Sequence, residues 1–266
     1  MMRDKIVPII VFLLVMYWAN RVVMFRLSRS RQTTQLRSMD AAIELFNSQL
    51  NGYPPSEAND PTGKPYCGAM KLAEALMGQD LLGFHSESAF RRDGLEPDTL
   101  APLYPANPLR DNLRARKGPY LAAESAGACR LADIYGKGNT GSFREDTYVL
   151  CDTYTHKRPS GKKTGMPILY FKTNRFATAH RVGDPKNIYN WGDDAALVAL
   201  GVPGEPGKVH PLSDPNRFYL NTRNDRVTEA ARPFRPDSYI LISAGRDGLY
   251  GTADDICSSE WRYRGQ

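Results

Sequence analysis

Three carboxylates lie close together near the carboxyl end of the chain, directly after an apolar run. Asp247, Asp254 and Asp255 fall within nine residues, and two glycines in the same stretch allow the backbone to curve tightly. Calcium takes carboxylate and carbonyl oxygens, so the loop is a candidate calcium site. A tight turn with solvated carboxylates explains the same residues, because Asp247-Gly248 is common turn chemistry. The residues alone leave both interpretations open.

Catalytic chemistry has no comparable support in the sequence. The four histidines, which are far apart along the chain, are His85, His156, His180 and His210. H-E-x-x-H, G-x-S-x-G and P-loop motifs are all missing. We therefore expect no enzymatic activity, and a calcium-dependent hydrolase is disfavoured because no nucleophile and base are recognisable.

The four cysteines are too widely spaced for a zinc site of the C-x-x-C type. They are Cys67, Cys129, Cys151 and Cys257. An even number permits two disulfides with three alternative connectivities, whereas free, packed thiols are the other interpretation. Sequence alone does not choose between them.

Composition and charge indicate a single loop-rich domain that does not bind nucleic acid. Of the 266 residues, 22 are Gly and 19 are Pro, which predicts many turns. The net charge is +6, and residues 1–40 contain seven basic but only two acidic side chains. Because the rest of the chain is nearly neutral, it has no extended basic surface of the kind that nucleic-acid binding requires.

The amino-terminal segment is predicted to be a membrane anchor over residues 1–25. Ile6–Ala19 contains no charged residue, and Val22–Phe25 extends the apolar stretch to about 20 residues, the length that one helix needs to span a bilayer. No small-residue cleavage site follows, which favours a retained anchor over a signal peptide. Five arginines between residues 21 and 37 favour a cytoplasmic body by the positive-inside rule.

An amphipathic helix is predicted to continue from the anchor over residues 26–50. Its apolar residues recur with spacings of three and four: Leu36, Met39, Ile43, Phe46 and Leu50. Asn51-Gly52 supplies capping residues and Pro54-Pro55 prevents continuation. No Gly or Pro interrupts residues 9–50, so we expect one nearly continuous helix whose stripe covers a sheet.

The body is predicted to have an α+β architecture. A second helix is expected around Met70–Met77, before Gly78. Short apolar runs at Tyr148–Cys151, Ile168–Phe171 and Tyr239–Ile242 are typical of the central strands of one small sheet.

Several of these segments together resemble the major pseudopilin (protein G) of type II secretion systems and the type IV pilin-like family. The similarity rests on the anchor and helix that end in Asn51-Gly52-Tyr53-Pro54, on Thr164–Tyr170, and on the closing strand and loop, residues 238–256. It implies a pilin-like fold in which a long N-terminal helix packs on a small antiparallel sheet. Residues 26–266 would form the globular domain, with loop-rich insertions at about 56–147 and 184–237.

The resemblance also implies a function and a ligand set. Asp247, Asp254 and Asp255 would bind calcium, with Ser243 as a weaker candidate. The chain would be a structural subunit for protein export that contacts other pseudopilin subunits or secretion-apparatus proteins. It would be a single-pass protein of the bacterial inner membrane with a periplasmic body. However, the family's cleaved Gly and the Glu of its mature helix are missing, because this chain has Arg3–Ile10 there. The alternative is a non-polymerising, anchored envelope domain that binds a partner or glycan through its insertions.

Overall fold

The computed structural model describes residues 3–184, 186–228, 231–259 and 263–264. Residues 1–2 of the predicted anchor lie outside these ranges. The helices of the described residues are α1 (Arg3–Leu50), α2 (Gly68–Met77), α3 (Arg110–Arg114), α4 (Ala123–Ala126), α5 (Leu131–Tyr135), α6 (Gly192–Val198) and α7 (Pro215–Thr222), with a 3-10 turn at Pro211–Ser213.

The strands form small antiparallel sheets. Three pairs are separate from one another: β1 (Phe84–His85) with β2 (Arg116–Lys117), β3 (Ala128–Arg130) with β4 (Tyr148–Leu150), and β5 (His156–Lys157) with β6 (Lys163–Thr164). The fourth sheet has the order β7 (Leu169–Lys172), β8 (Tyr239–Ser243) and β9 (Ile256–Cys257). In its register, Leu169 lies opposite Ile242, and Ser243 lies opposite Ile256.

The apolar stripe of α1 is buried as its spacing predicts. Met39 and Ile43 are inaccessible to solvent, and Leu36 and Phe46 retain at most 3 % of their surface. The continuous helix expected over residues 9–50 lies within α1. The helix ends where Asn51 adopts a left-handed conformation, with φ of 56°, a conformation that asparagine tolerates.

The centre of the body is α2, all ten residues of which are buried. One side of the helix, including Met70, packs with the first apolar cluster, and the other side, including Leu72 and Leu76, packs with the cluster that contains the α1 stripe. Gly68 begins the helix against β7, where a Cβ atom would lie 2.2 Å from the carbonyl oxygen of Tyr170. The sequence therefore needs glycine at this contact.

Polar side chains on α2 can be buried in the core because they are hydrogen-bonded. The Lys71 ammonium donates to the carbonyl oxygens of Glu57 (2.7 Å) and Asn59 (2.8 Å). The carboxylate of Glu74 accepts hydrogen bonds from four side chains: Tyr66, Gln79, Ser88 and Tyr104. These bonds offset the cost of removing both charges from water.

The predicted pilin-like α+β fold, with a long N-terminal helix packed on a small antiparallel sheet, is wrong. The structure mixes helices with several small sheets, and α1 over residues 26–50 is amphipathic rather than a long apolar helix. Its stripe packs on α2, α4 and β9. The physical reason is that α2, which lies within the supposed insertion 56–147, supplies much of the apolar surface that we expected from the small sheet alone.

The three predicted strands exist but do not share one sheet. β7 and β8 pair with each other, whereas β4 pairs with β3. Cys129 on β3 and Cys151 just after β4 approach each other, and their thiols share a hydrogen bond. All four cysteines are free thiols.

The membrane anchor over residues 1–25 stays a prediction. In the described part of the chain, we find no helical stretch whose length and apolar character would let it cross a bilayer.

Candidate functional site

The loop after β8 is organised by the carboxylate of Asp254. One of its oxygens accepts the backbone N–H groups of Arg246 (2.7 Å) and Asp247 (3.1 Å). The other oxygen accepts the Thr252 hydroxyl at 2.6 Å. Gly245 allows this curvature, because its φ is 66° and a Cβ atom would lie 2.4 Å from the Asp254 carbonyl oxygen. The loop is therefore closed by its own side chains and backbone.

Asp255 lies on the inner side of the loop and is only 3 % exposed. Its carboxylate accepts the backbone N–H groups of Gly251 (2.7 Å) and Thr252 (3.3 Å). Burial raises the pKa of Asp255 well above its usual range. These contacts give Asp255 a structural role in shaping the loop.

Asp247 lies at the outer side of the same loop. One carboxylate oxygen accepts the backbone N–H of Leu249 at 2.8 Å, and the Asp247 and Asp254 carboxyl groups lie close together. Desolvation raises the pKa of Asp247, and the negative charge of Asp254 raises it further. Two carboxyl groups in contact need a proton or a cation between them. This pair is the part of the loop whose chemistry fits a divalent cation.

Ser243 has a different environment from the three aspartates. It is completely buried, and its hydroxyl donates to Asp152 at 3.0 Å. Asp152 also accepts the backbone N–H groups of Met166 (3.1 Å) and Tyr154 (3.2 Å). Burial raises the pKa of Asp152 to about 7. Asp152 therefore links β8 to the segment after β4, and the Ser243 hydroxyl makes the hydrogen bond of this link.

Asp152 was not foreseen as a site residue from the sequence. The available signal was its position directly after the apolar run Tyr148–Cys151. A second signal is Gly165, where a Cβ atom would lie 2.0 Å from the Asp152 carbonyl oxygen. Neither signal identifies Ser243 as the partner, because the two residues are 91 positions apart.

A polar cleft of about 590 Å³ lies beside the end of α1 and β7. Its lining includes Tyr53, Ser56, Asn174, Phe176 and Asp193. Phe176 is 96 % exposed, whereas Asp193 is 5 % exposed and accepts the Ser56 hydroxyl. Burial raises the pKa of Asp193 to about 8. The cleft thus combines an exposed aromatic ring with a buried carboxyl group.

The third feature is the segment of α1 from residue 16 to residue 31, here called the exposed segment. Six of its large apolar side chains are at least half exposed: Met16, Tyr17, Trp18, Val23, Met24 and Leu27. Burial begins at Gln32, whose amide oxygen accepts the backbone N–H of Thr153 at 2.7 Å. The helix therefore changes from an exposed apolar surface to a packed core element within about one turn.

We predict that the domain becomes less stable as the pH rises from 6.5 to 8.5. In the folded protein, the carboxyl groups of Asp152 and Asp193 have raised pKa values of about 7 and about 8. Their contribution to stability is complete below the pKa of the unfolded chain and is lost as the pH rises through the pKa of the folded protein. Burial lowers the pKa values of His180 and His210 to about 4, so their contribution changes below pH 6.5. Asp193 alone predicts a loss of about 2 kcal/mol.

Urea unfolding at several pH values measures this dependence. Asp193→Asn keeps an oxygen for the Ser56 hydroxyl but cannot ionise, so its profile should be flatter than that of the wild type. The exposed Asp98→Asn should leave the profile unchanged. A wild-type stability that rises between pH 6.5 and 8.5 would contradict the prediction.

The predicted ligand residues are thus brought together in part. Asp247, Asp254 and Asp255 share one loop, whereas Ser243 is bonded to Asp152. Among the residues that the structure describes, no group of three or more His, Cys, Asp or Glu side chains is arranged to hold a metal ion. Calcium binding therefore stays a prediction.

Comparisons of the chain with protein-family models, with curated proteins and with solved structures find no match.

Proposed function

We propose that the chain is a non-enzymatic structural subunit of a pseudopilin-type protein-export apparatus, held in place by its amino-terminal helix. The observation that carries the proposal is the exposed segment of α1, with six large apolar side chains in contact with water. The proposal uses this helix and the closing loop, and it does not require the pilin-like sheet that the structure contradicts.

The exposed segment calls for an apolar partner. Each apolar side chain that is removed from water contributes about 1.5–3 kcal/mol, so covering several of them strongly favours association. A bilayer covers the residues nearest the amino terminus, and matching helices of neighbouring subunits cover those nearer the body. We place the body on the periplasmic side of a bacterial inner membrane, as the family resemblance implies.

Calcium would serve this function by fixing the closing loop. Asp247 and Asp254 would hold the ion, with Asp255 shaping the loop behind them. The positive charge of calcium would remove the repulsion between the paired carboxylates. The loop follows β8 directly, so a fixed loop would stabilise the end of that strand.

A second candidate function is a non-polymerising, anchored domain that binds a glycan or a partner. The polar cleft favours it, because an exposed ring such as Phe176 provides a stacking surface and Asn174 provides amide donors and acceptors. The missing family Gly and Glu near the amino terminus also favour this alternative.

Two measurements on the full chain in cells test the proposal. A photo-crosslinking amino acid at Val23, in the exposed segment, should give crosslinks between copies of the chain. The same amino acid at Val209, which is 69 % exposed on the body, should not. Release of the chain from membranes by alkaline carbonate would contradict anchoring, and crosslinks to lipid alone would favour the non-polymerising alternative.

Orientation is tested separately. A reporter that is active only in the periplasm should be active when it is fused after Gln266. Activity of a cytoplasmic reporter alone at the same position would overturn the export role.

A further inference from the structure

Four exposed arginines, three on α1 and one on the closing loop, lie where the helix meets the body, and we call them the arginine collar. The exposed segment carries Arg21, Arg26 and Arg29, and the closing loop carries Arg246. All four side chains are exposed to solvent. Along the helix axis, Arg21 and Arg29 are about 12 Å apart. The collar therefore occupies a narrow band of the molecule next to the exposed apolar side chains.

The collar is present on more than one side of the helix. Arg21 and Arg246 line a cleft of about 240 Å³ between the helix and the body, together with Tyr154. Arg26 and Arg29 line a second cleft, of about 350 Å³, along α1. The second cleft also contains Ser30, Thr33, Thr34 and Arg37. A flat anionic surface that surrounds the helix would meet guanidinium groups in both clefts.

The guanidinium groups of the collar form no ion pair with a carboxylate in the described part of the chain. Ion pairs form elsewhere, for example between Arg116 and Asp80 or between Arg144 and Asp146. None of the ion pairs between described residues includes a collar arginine. Planar guanidinium groups match phosphate oxygens well and form strong charge-assisted hydrogen bonds with them. The chemistry of the collar thus fits phosphate groups.

Apolar side chains between the arginines identify the source of the phosphate. Tyr17 and Trp18 precede Arg21 by one turn, and Met24 and Leu27 alternate with the arginines; all four are at least half exposed. The Arg21 guanidinium lies over the Tyr17 ring, 5.9 Å from its centre. Aromatic residues are enriched where a membrane meets water, and arginines there extend toward the head groups. A nucleic acid or a free phosphate ion would leave the apolar side chains uncovered.

We infer that the arginine collar binds the head groups of anionic phospholipids and so sets the depth and tilt of the body at the membrane surface. The inference rests on the proposed anchoring of α1 and goes beyond it, because anchoring alone needs no particular lipid. Each arginine near an anionic surface adds to the free energy of binding. The contributions of three arginines together predict an affinity for an anionic surface about a hundredfold higher than for a neutral one.

The experiment compares the binding of the purified full chain to two kinds of vesicle. One contains phosphatidylcholine alone, and the other contains phosphatidylcholine mixed with phosphatidylglycerol. The test variant is Arg21→Gln/Arg26→Gln/Arg29→Gln. The control variant is Arg110→Gln/Lys117→Gln/Arg175→Gln, which removes the same charge from exposed positions on the body.

We expect the wild type and the control variant to prefer the anionic vesicles by about a hundredfold at low salt, and the preference should decrease as salt is added. The collar variant, which retains Arg246, should lose most of this preference. Equal binding of the wild type to both vesicles would overturn the inference but leave anchoring intact, whereas failure to bind either vesicle would overturn both. An equal loss of preference in the control variant would also overturn the inference. So would a wild type that loses its preference in inorganic phosphate but keeps it in chloride of the same ionic strength.

Discussion

Replacing Phe46 with alanine is expected to lower the free energy of unfolding by about 3–5 kcal/mol. Phe46 is 3 % exposed, and its ring contacts three other aromatic rings, with centroid distances of 5.1 Å to Phe84, 6.4 Å to Phe90 and 6.0 Å to Tyr120. Truncation would remove these contacts and leave a cavity between α1 and the loops that cover it. The neighbouring rings belong to separate segments, so they cannot close the cavity by a local shift.

The matched control is Leu45→Ala. Leu45 is adjacent on the same helix but 52 % exposed, so its replacement should change stability by no more than about 0.5 kcal/mol. Urea unfolding followed by circular dichroism measures both variants. A loss below 1 kcal/mol for Phe46→Ala would mean that the carboxyl-terminal half of α1 is not packed on the body as described.

Calcium is expected to stabilise the domain by about 2.7 kcal/mol at a hundredfold excess over its dissociation constant. The reason is that the ion would bind the folded loop, where the Asp247 and Asp254 carboxyl groups meet, and hardly bind the unfolded chain. Magnesium should stabilise less, because it requires regular octahedral coordination and keeps its water molecules. The measurement is the melting temperature of the full chain in calcium, in magnesium and in chelator.

Asp247→Asn is the sharpest variant for this test. Asp247 makes one backbone contact in the loop, to Leu249, so the substitution should remove the response to calcium with little effect on the chelator value. Asp98→Asn, at an exposed position away from the loop, should respond like the wild type. Identical melting curves of the wild type in calcium and in chelator would show that the loop is only a turn.

The local features of the fold were predictable from the sequence because they depend on spacing. The three-and-four pattern from Leu36 to Phe46 identified the buried face of α1, and the apolar run before Gly78 identified α2. The apolar run that ends at Ile242 likewise corresponds to β8. In each case the signal and the structure that it specifies lie within one segment.

The features that sequence analysis missed depend on contacts between distant segments. The stripe of α1 required an apolar surface, but nothing in its pattern shows that α2 would share this surface with the strands. Ser243 was expected to face a metal, whereas its partner is Asp152, whose position relative to β8 is set by packing. That Asp247, Asp254 and Asp255 lie on one loop, in contrast, follows directly from their closeness in the sequence, whereas calcium binding by them stays a prediction.

The late position of β8 in the chain has a consequence for biosynthesis. Among the described strands, β8 is the one that pairs with β7, and Thr173 and Ser238, which are hydrogen-bonded beside this pair, are 65 residues apart. During translation, α1, α2 and β7 emerge long before their last partner, with their apolar faces uncovered. A chain that stops short of residue 239 therefore exposes a sheet edge and much of the core, which favours aggregation. Completion of the core must therefore wait for the carboxyl-terminal residues.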